Sequence, residues 1–449
     1  MAKTVSVVGG GLAGCECALS LADRGIAVVL YEQRPGGAAP AHHTDGLAEL
    51  VCSNSLKSTR PDSAAGLLKE ELRRMGSRLL PMAMRCAVPA GGALAVDRAE
   101  FSSLVTRAVE QHPLISLRRE EVCAIPDGPT VIAAGPLCSP TLANALMELV
   151  GGDRLSFFDA AAPVVDAHSI DRSIAFAQSR YEEDGAGDYL NCPMNKEEYQ
   201  TFWQELVDAG RVIARDFETK DLFNACQPVE ELARKGVDTL RFGTMKPVGI
   251  TDPRTQRRPW AVVQLRSENA QRTAYNLVGF QTNLTWGEQK RVFRMIPGLG
   301  EADFLRYGVM HRNTFVDAPR VLDSTFAVPG TTVRLAGQIT GTEGYVEAIA
   351  SGLLAAANTA AELGGYQTVC LPKTGALGSL VAYATNKDTQ PYQPMHVNFG
   401  LVPPLEGPRL KKRDRYQAYV ARATADLDAY LRARPELFLA PVPNGEGGV

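Results

Sequence analysis

No two of the nine cysteines stand in C-x-x-C spacing, their number is odd, and none falls into the rhythm of a zinc ligand set. No metal site is expected, and the thiols are expected to stay reduced, as in the cytoplasm. Long apolar runs are missing as well. The early run from Val5 breaks at Gly9, too short for the apolar part of a signal peptide, and no stretch of about eighteen apolar residues exists to span a bilayer. Charge of one sign is also missing. Forty-seven Lys and Arg against fifty Asp and Glu leave a net charge of −3, so no global positive field would hold nucleic acid, although a local basic face remains open. No internal repeat is present. With 45% apolar and 22% charged residues over 449 positions, the chain is globular and long enough to bury large cores without disulfides.

The first thirty-two residues carry the densest signal. A β-branched run from Val5 to Val8 leads into Gly9-Gly10-Gly11-Leu12-Ala13-Gly14, which holds G-x-G-x-x-G at Gly9, Gly11 and Gly14. An Ala-rich helical pattern follows to about Arg24, with Gly25 as its C-cap, and a second strand over Ile26 to Tyr31 ends at Glu32. Each part has a physical task. Gly9 permits the tight strand-to-helix turn, Gly11 lets backbone N–H groups approach a pyrophosphate, and Gly14 lets the helix lie close on the strand. The helix N-terminus offers unpaired N–H donors and positive dipole to the anion. Glu32, at the end of the next strand, is placed to accept both hydroxyls of an adenosine ribose, which points to FAD or NAD rather than NADP.

A second region favours FAD. Thr332 to Ala336 read as a strand, followed by Gly337-Gln338, then Gly341 and Gly344, then a small-residue helix from Tyr345 to about Ala361. Glutathione-reductase-like flavoproteins end in this order of strand, Gly-polar pair and helix, with the helix N-terminus facing the flavin. Many of them carry Asp where this chain has Gln338. A third strand-and-turn, Thr130 to Pro136, fits the same scheme. The expected fold is α/β: a Rossmann-like FAD-binding domain of the glutathione-reductase type, discontinuous over 1–180 and 306–440. An α+β insertion domain fills 181–305, and a flexible tail covers 441–449. In the insertion, a helix is expected near Lys196–Ala209 and strands over Trp260–Leu265 and Ala274–Phe280. Tyr416, Tyr419, Val420, Ala423, Leu427, Tyr430 and Leu431 mark the buried stripe of a late helix.

Longer strings are more specific. They include Pro40-Ala41-His42-His43-Thr44-Asp45, Glu49-Leu50-Val51-Cys52-Ser53-Asn54-Ser55, Cys226-Gln227-Pro228-Val229-Glu230, Trp286-Gly287-Glu288-Gln289-Lys290-Arg291 and Met310-His311-Arg312-Asn313-Thr314-Phe315. From Val5 to roughly Ala433 the chain resembles the folate- and FAD-dependent tRNA (uracil-5-)-methyltransferase family, TrmFO. The wider group of GidA-type tRNA-modifying flavoproteins shares only its FAD motifs. Gln227 departs mildly from the pattern, where Met is expected, as do Cys15 and Cys17 in the first helix.

The resemblance implies a reaction. A one-carbon unit passes from 5,10-methylenetetrahydrofolate, by way of reduced FAD, to C5 of the T-loop uridine at position 54 of tRNA, with NAD(P)H as reductant. Uracil C5 is a poor nucleophile until a thiolate adds to C6, and a second group must then move the C5 proton. Cys52 and Cys226 match the family's two functional cysteines. Cys226 is assigned as the C6 nucleophile and Cys52 as the flavin-side acid/base, with the reverse assignment open. Cys52 lies in a polar turn with Lys57 downstream to help hold a thiolate, and Glu230 flanks Cys226. Cys15, Cys17, Cys86, Cys123, Cys138 and Cys370 read as buried filler. Tyr345 is a candidate to stack on the flavin, and His42 and His43 to cover it. His311 and Arg312 are candidates to meet the folate, with Trp286 a second stacking residue.

Between Pro408 and Arg434 eight basic residues face three acidic ones, and Arg409, Lys411, Lys412 and Arg413 open that stretch, so this is the expected contact to tRNA phosphates. Nothing calls for a stable protein partner or a membrane. Three other readings stay open: a relative that methylates ribosomal RNA uridines, an NAD(P)H-oxidising flavoprotein without methyl transfer, and an RNA-binding folding factor.

Overall fold

The computed structural model describes residues 4–36, 42–151, 155–160, 162–180, 187–212, 227–308, 310–390, 392–408, 410–436 and 438. Five parallel strands form the first sheet, in the order Val333–Leu335, Thr130–Ile132, Val5–Val8, Val28–Tyr31 and Ile115–Arg118. The runs of Val, Ile and Leu in the inner strands are largely buried, as parallel strands covered by helices must be, while the edge strand Ile115–Arg118 exposes Ser116 and Arg118. The strand order turns back beside Val5–Val8, the switch point where open α/β sheets take ligands at their carboxyl ends.

Two helices lie against each other over this sheet, Leu12–Ala22 and Tyr345–Gly364. Glycine sets their spacing: a Cβ on Gly352 would come within 2.2 Å of the Ala13 carbonyl oxygen, and one on Gly14 within 1.8 Å of the Gly9 carbonyl oxygen. The first helix stops at Ala22, two residues before the expected end. Gly25 takes its positive φ (+77°) in the turn beyond.

The second core surrounds a six-stranded antiparallel sheet. Its order is Phe176–Ala177, Tyr189–Met194, Ala261–Ser267, Ala274–Leu277, Val164–Asp166 and Phe304–Arg306. Helix Lys196–Asp208, opened by the Asn195/Glu198 capping box, packs Tyr199, Phe202 and Leu206 into that core, where Phe280 and Phe293 meet edge to face. The chain passes between the two bodies along an antiparallel pair that matches Leu155 with Phe315 and Ala160 with Met310. Helix Lys412–Ala433 returns to the first body, with Tyr419, Ala423 and Leu427 buried and Arg74 paired to Asp428. No described helix is long and apolar enough to cross a membrane.

Candidate active site

The glycine turn opens onto a cleft of about 980 Å³, counting its mouth, at the carboxyl ends of the parallel strands. Glu32, Gln338 and Tyr345 line it together with Gly9, Gly11, Ala134 and Gly135. Gly9 holds φ +108°, and a Cβ there would strike the Ala133 carbonyl oxygen at 2.5 Å. A Cβ on Gly11 would meet nothing within 4 Å, and the helix it opens has no side-chain cap. Unpaired N–H groups facing open space fit a pyrophosphate. The residues present therefore fit a dinucleotide such as FAD.

Glu32 accepts from the Gly10 N–H at 2.9 Å and from Arg34 Nε at 2.9 Å. Burial pushes its carboxyl up, but the Arg34 hydrogen bond and charge outweigh that and hold it below the usual carboxylate range. Arg34 also pairs with Glu49 at 2.8 Å. His42 lines the same cleft, its imidazole held low by burial and by the Arg34 charge. Gly337 (φ +80°) and Gly344 (φ +119°) make the turns around Gln338 and into the Tyr345 helix, and the Gln338 amide donates to Glu343 at 2.8 and 3.0 Å.

Tyr345 joins this cleft to Cys52. Its hydroxyl accepts from the Cys52 N–H at 2.8 Å and the Ser53 N–H at 3.3 Å, and burial pushes its phenol well above the usual range. The Cys52 carbonyl accepts from Arg98 at 3.3 Å and Arg306 at 3.5 Å. Arg98 is held in turn by Glu268, with Nε 2.5 Å from the carboxylate. Asn54 ties the same loop to both cores. Its amide donates to the Val96 and Ser267 carbonyls at 3.0 and 2.9 Å, and its oxygen accepts from Arg266 at 2.9 Å. Cys52 thus lies where the two bodies meet, beside two guanidiniums able to stabilise developing negative charge.

Some expectations are displaced. Lys57 pairs with the buried Glu347 at 2.7 Å instead of serving Cys52. Cys123 and Cys370 are exposed, whereas Cys15, Cys17, Cys86 and Cys192 are buried, their thiols pushed up by burial. Cys226 and Arg409 fall outside the described residues. His311 lies on strand Met310–Phe315, with its side chain outside the description. Glu230 is buried, and accepts from Thr282 Oγ1 at 2.9 Å and the Asn283 N–H at 2.7 Å. Arg98, Arg306 and Glu268 are not marked by the sequence, because their partners lie far off in the chain; Arg34 stands beside its partner Glu32 and could have been found from that pairing. Among the described residues no cluster of His, Cys, Asp and Glu could hold a metal.

Residues 4–367 match the family described as Glucose inhibited division protein A. The methylenetetrahydrofolate–tRNA-(uracil-5-)-methyltransferase TrmFO of Geobacter sulfurreducens is 54% identical over 433 residues, 96% of this chain and 99% of that one. The protein of the same name from Moorella thermoacetica is 54% identical over 426 residues, covering 94% and 97%. Among solved structures, Aquifex aeolicus GidA superposes with a TM-score of 0.68 at 16% identity, over 96% of this chain and 73% of that one, a likeness of fold.

Proposed function

The chain belongs to the TrmFO family, within the broader glucose-inhibited division protein A family, and from that premise we propose how its residues carry out the methylation of tRNA. It is a folate-dependent tRNA (uracil-5-)-methyltransferase, a flavoprotein of the FAD-binding Rossmann-like class. Bound FAD supplies the redox chemistry that turns a folate-borne one-carbon unit into a methyl group. The observation that carries the site assignment is the Tyr345 hydroxyl, which accepts from the Cys52 backbone while Tyr345 itself lines the dinucleotide cleft.

The glycine turn and Leu12 helix would hold the pyrophosphate, Glu32 the ribose, and Gly337, Gln338 and Gly344 the flavin end. Cys52, fixed through its own N–H and carbonyl, is assigned to proton transfer at uracil C5 beside the flavin, and Cys226 to addition at C6. His311 is assigned to the folate pterin. NAD(P)H is the proposed reductant and the cytoplasm the proposed compartment. Lys411, Lys412 and Arg413 are exposed at the N-terminus of helix Lys412–Ala433. Cations there oppose the helix dipole, so their placement favours an outside anion such as tRNA phosphate over helix stability. We propose that the FAD-binding unit, expected over 1–180 and 306–440, gives way to the inserted one, expected over 181–305, at the paired strands Leu155–Ala160 and Met310–Phe315, since Val164–Asp166 and Phe176–Ala177 belong to the same sheet as Ala261–Ser267.

The test is direct. The purified protein should carry a flavin spectrum and transfer label from methylenetetrahydrofolate to unmodified tRNA when NADH or NADPH is present. Cys52→Ala and Cys226→Ala should each keep the flavin and lose transfer. Full transfer in both variants would remove the thiol assignments, and methylation of ribosomal RNA fragments in preference to tRNA would move the substrate.

A further inference from the structure

Three aromatic rings form a ladder on the outside of the second body. Phe304 stacks on Tyr307 with centroids 5.3 Å apart and planes 13° apart, and Tyr307 stacks on Trp286 at 5.6 Å and 14°. Trp286 ends the ladder and is 61% exposed. An apolar indole left in water at the end of an ordered stack buries little of its own surface, so folding alone gives no reason for it.

The ladder is held rigidly. Thr285 caps the helix Trp286–Phe293, and its buried Gln289 donates to the Leu284 and Gly308 carbonyls at 2.8 and 2.9 Å. The same side chain accepts from the Gly308 N–H at 2.8 Å, fixing Tyr307 relative to Trp286. Neighbouring Gly287 offers no side chain to cover the ring, and a Cβ there would meet nothing within 4 Å. One turn along the same helix face, exposed Lys290 stands at i+4 from the indole. A flat π face with a cation one turn away matches one nucleotide, the ring for its base and the ammonium for its phosphate.

The position agrees. Tyr307 follows Arg306, whose guanidinium reaches the Cys52 carbonyl. On the other side, loop 281–283 leading into Trp286 receives the Val212 N–H at Asn283 O (2.8 Å) and the Val229 N–H at Gln281 O (2.7 Å). The ladder is therefore linked through Arg306 to the Cys52 loop and through loop 281–283 to Val212 and Val229.

We propose that Trp286 is a stacking platform for an unpaired base of the substrate RNA, with Lys290 on the adjoining phosphate, holding the opened loop while the target uridine enters the site. This rests on the tRNA methyltransferase reading above. Folded tRNA loops stack their bases internally, and a protein platform compensates for stacking lost on opening.

The experiment uses the flavin-loaded enzyme and an unmodified T-arm stem-loop. The other two tryptophans differ from Trp286: Trp203 donates to the Ala233 carbonyl, and Trp260 lies 3.9 Å under the Arg241 guanidinium. Stacking should therefore quench mainly Trp286 emission as RNA is added. Trp286→Phe should keep RNA affinity within about twofold and lose that quench, while Trp286→Ala should weaken RNA binding about tenfold to a hundredfold. Flavin absorbance should be unchanged in both. Wild-type emission that does not respond to RNA would overturn the proposal even if Trp286→Ala fails to fold. So would wild-type RNA affinity in Trp286→Ala, or a defect confined to the KM for methylenetetrahydrofolate, which would mark the ring as a pterin contact. A wild-type enzyme that binds the stem-loop but never methylates it would instead remove the functional reading.

Discussion

Each of the two bodies buries a glutamate that ties distant chain segments together. In the nucleotide-holding body Glu71 accepts from the N–H groups of Ala376 and Leu377 at 2.7 and 2.9 Å, capping a helix far along the chain. In the outer body Glu230 accepts from Thr282 and Asn283 and so holds the loop leading to Trp286. Burial pushes both carboxyls up to about 7 against the pull of those N–H donors. One device thus serves two ends, securing the packing of a scaffold in one body and the shape of an outward face in the other. The difference teaches that burial alone does not mark a residue as structural; what the buried group holds decides.

The comparison can be broken most severely at the glycine turn. Gly14→Ala places a Cβ within 1.8 Å of a backbone oxygen, so flavin absorbance should be lost altogether while the outer body keeps its sheet signal by circular dichroism. Loss of both together would show that the two bodies fold as one unit. Next in size, Cys52→Ala should reduce methyl transfer about 10²- to 10⁴-fold with flavin content unchanged.

The buried glutamates give an intermediate effect. With folded values of about 7 against about 4.5 unfolded, their contribution is fully present below about 4.5 and is lost as pH rises through about 7. Chemical denaturation of the wild type should show stability falling across that window, by a few kcal/mol for each of the two carboxyls, at about 1.4 kcal/mol per pH unit per group. Glu71→Gln and Glu230→Gln should each flatten the curve. Only Glu230→Gln should also weaken RNA binding, and equal effects on RNA would erase the distinction between the two bodies. Smallest of all, neutralising Lys411, Lys412 and Arg413 to Gln should lower the slope of log affinity against log salt by up to about 3. An unchanged slope in a filter-binding titration would move the phosphate track elsewhere.

The two bodies were also unequally legible from the chain. The strand, the turn at Gly9, Gly11 and Gly14, and the helix after it were legible because they form a contiguous object with fixed spacing. The late strand, Gly337-Gln338 and the Tyr345 helix were legible for the same reason. Arg98 and Arg306 were not: their shared partner, the Cys52 carbonyl, lies 46 and 254 positions away. Lys57 reads from the sequence as a partner of the nearby thiol and instead meets Glu347, 290 positions along the chain, a partner no local pattern marks. Cysteines have no periodicity of their own, which is why Cys123 and Cys370 were expected inside and are found outside. In the outer body, the helix expected near Lys196–Ala209 followed from its amphipathic period, but the alignment of Trp286, Tyr307 and Phe304 depends on Gln289 meeting Gly308, a contact no local pattern announces.

The antiparallel ribbon matching Leu155 with Phe315 has a consequence for ancestry. Because the outgoing and returning strands are zipped to each other, the outer body begins and ends at a single joint. A lineage could exchange that body as one cassette, leaving the nucleotide turn and the Tyr345 helix untouched, provided the newcomer again supplied the partners that Arg266, Glu268 and Arg306 give to the Cys52 loop and to Arg98.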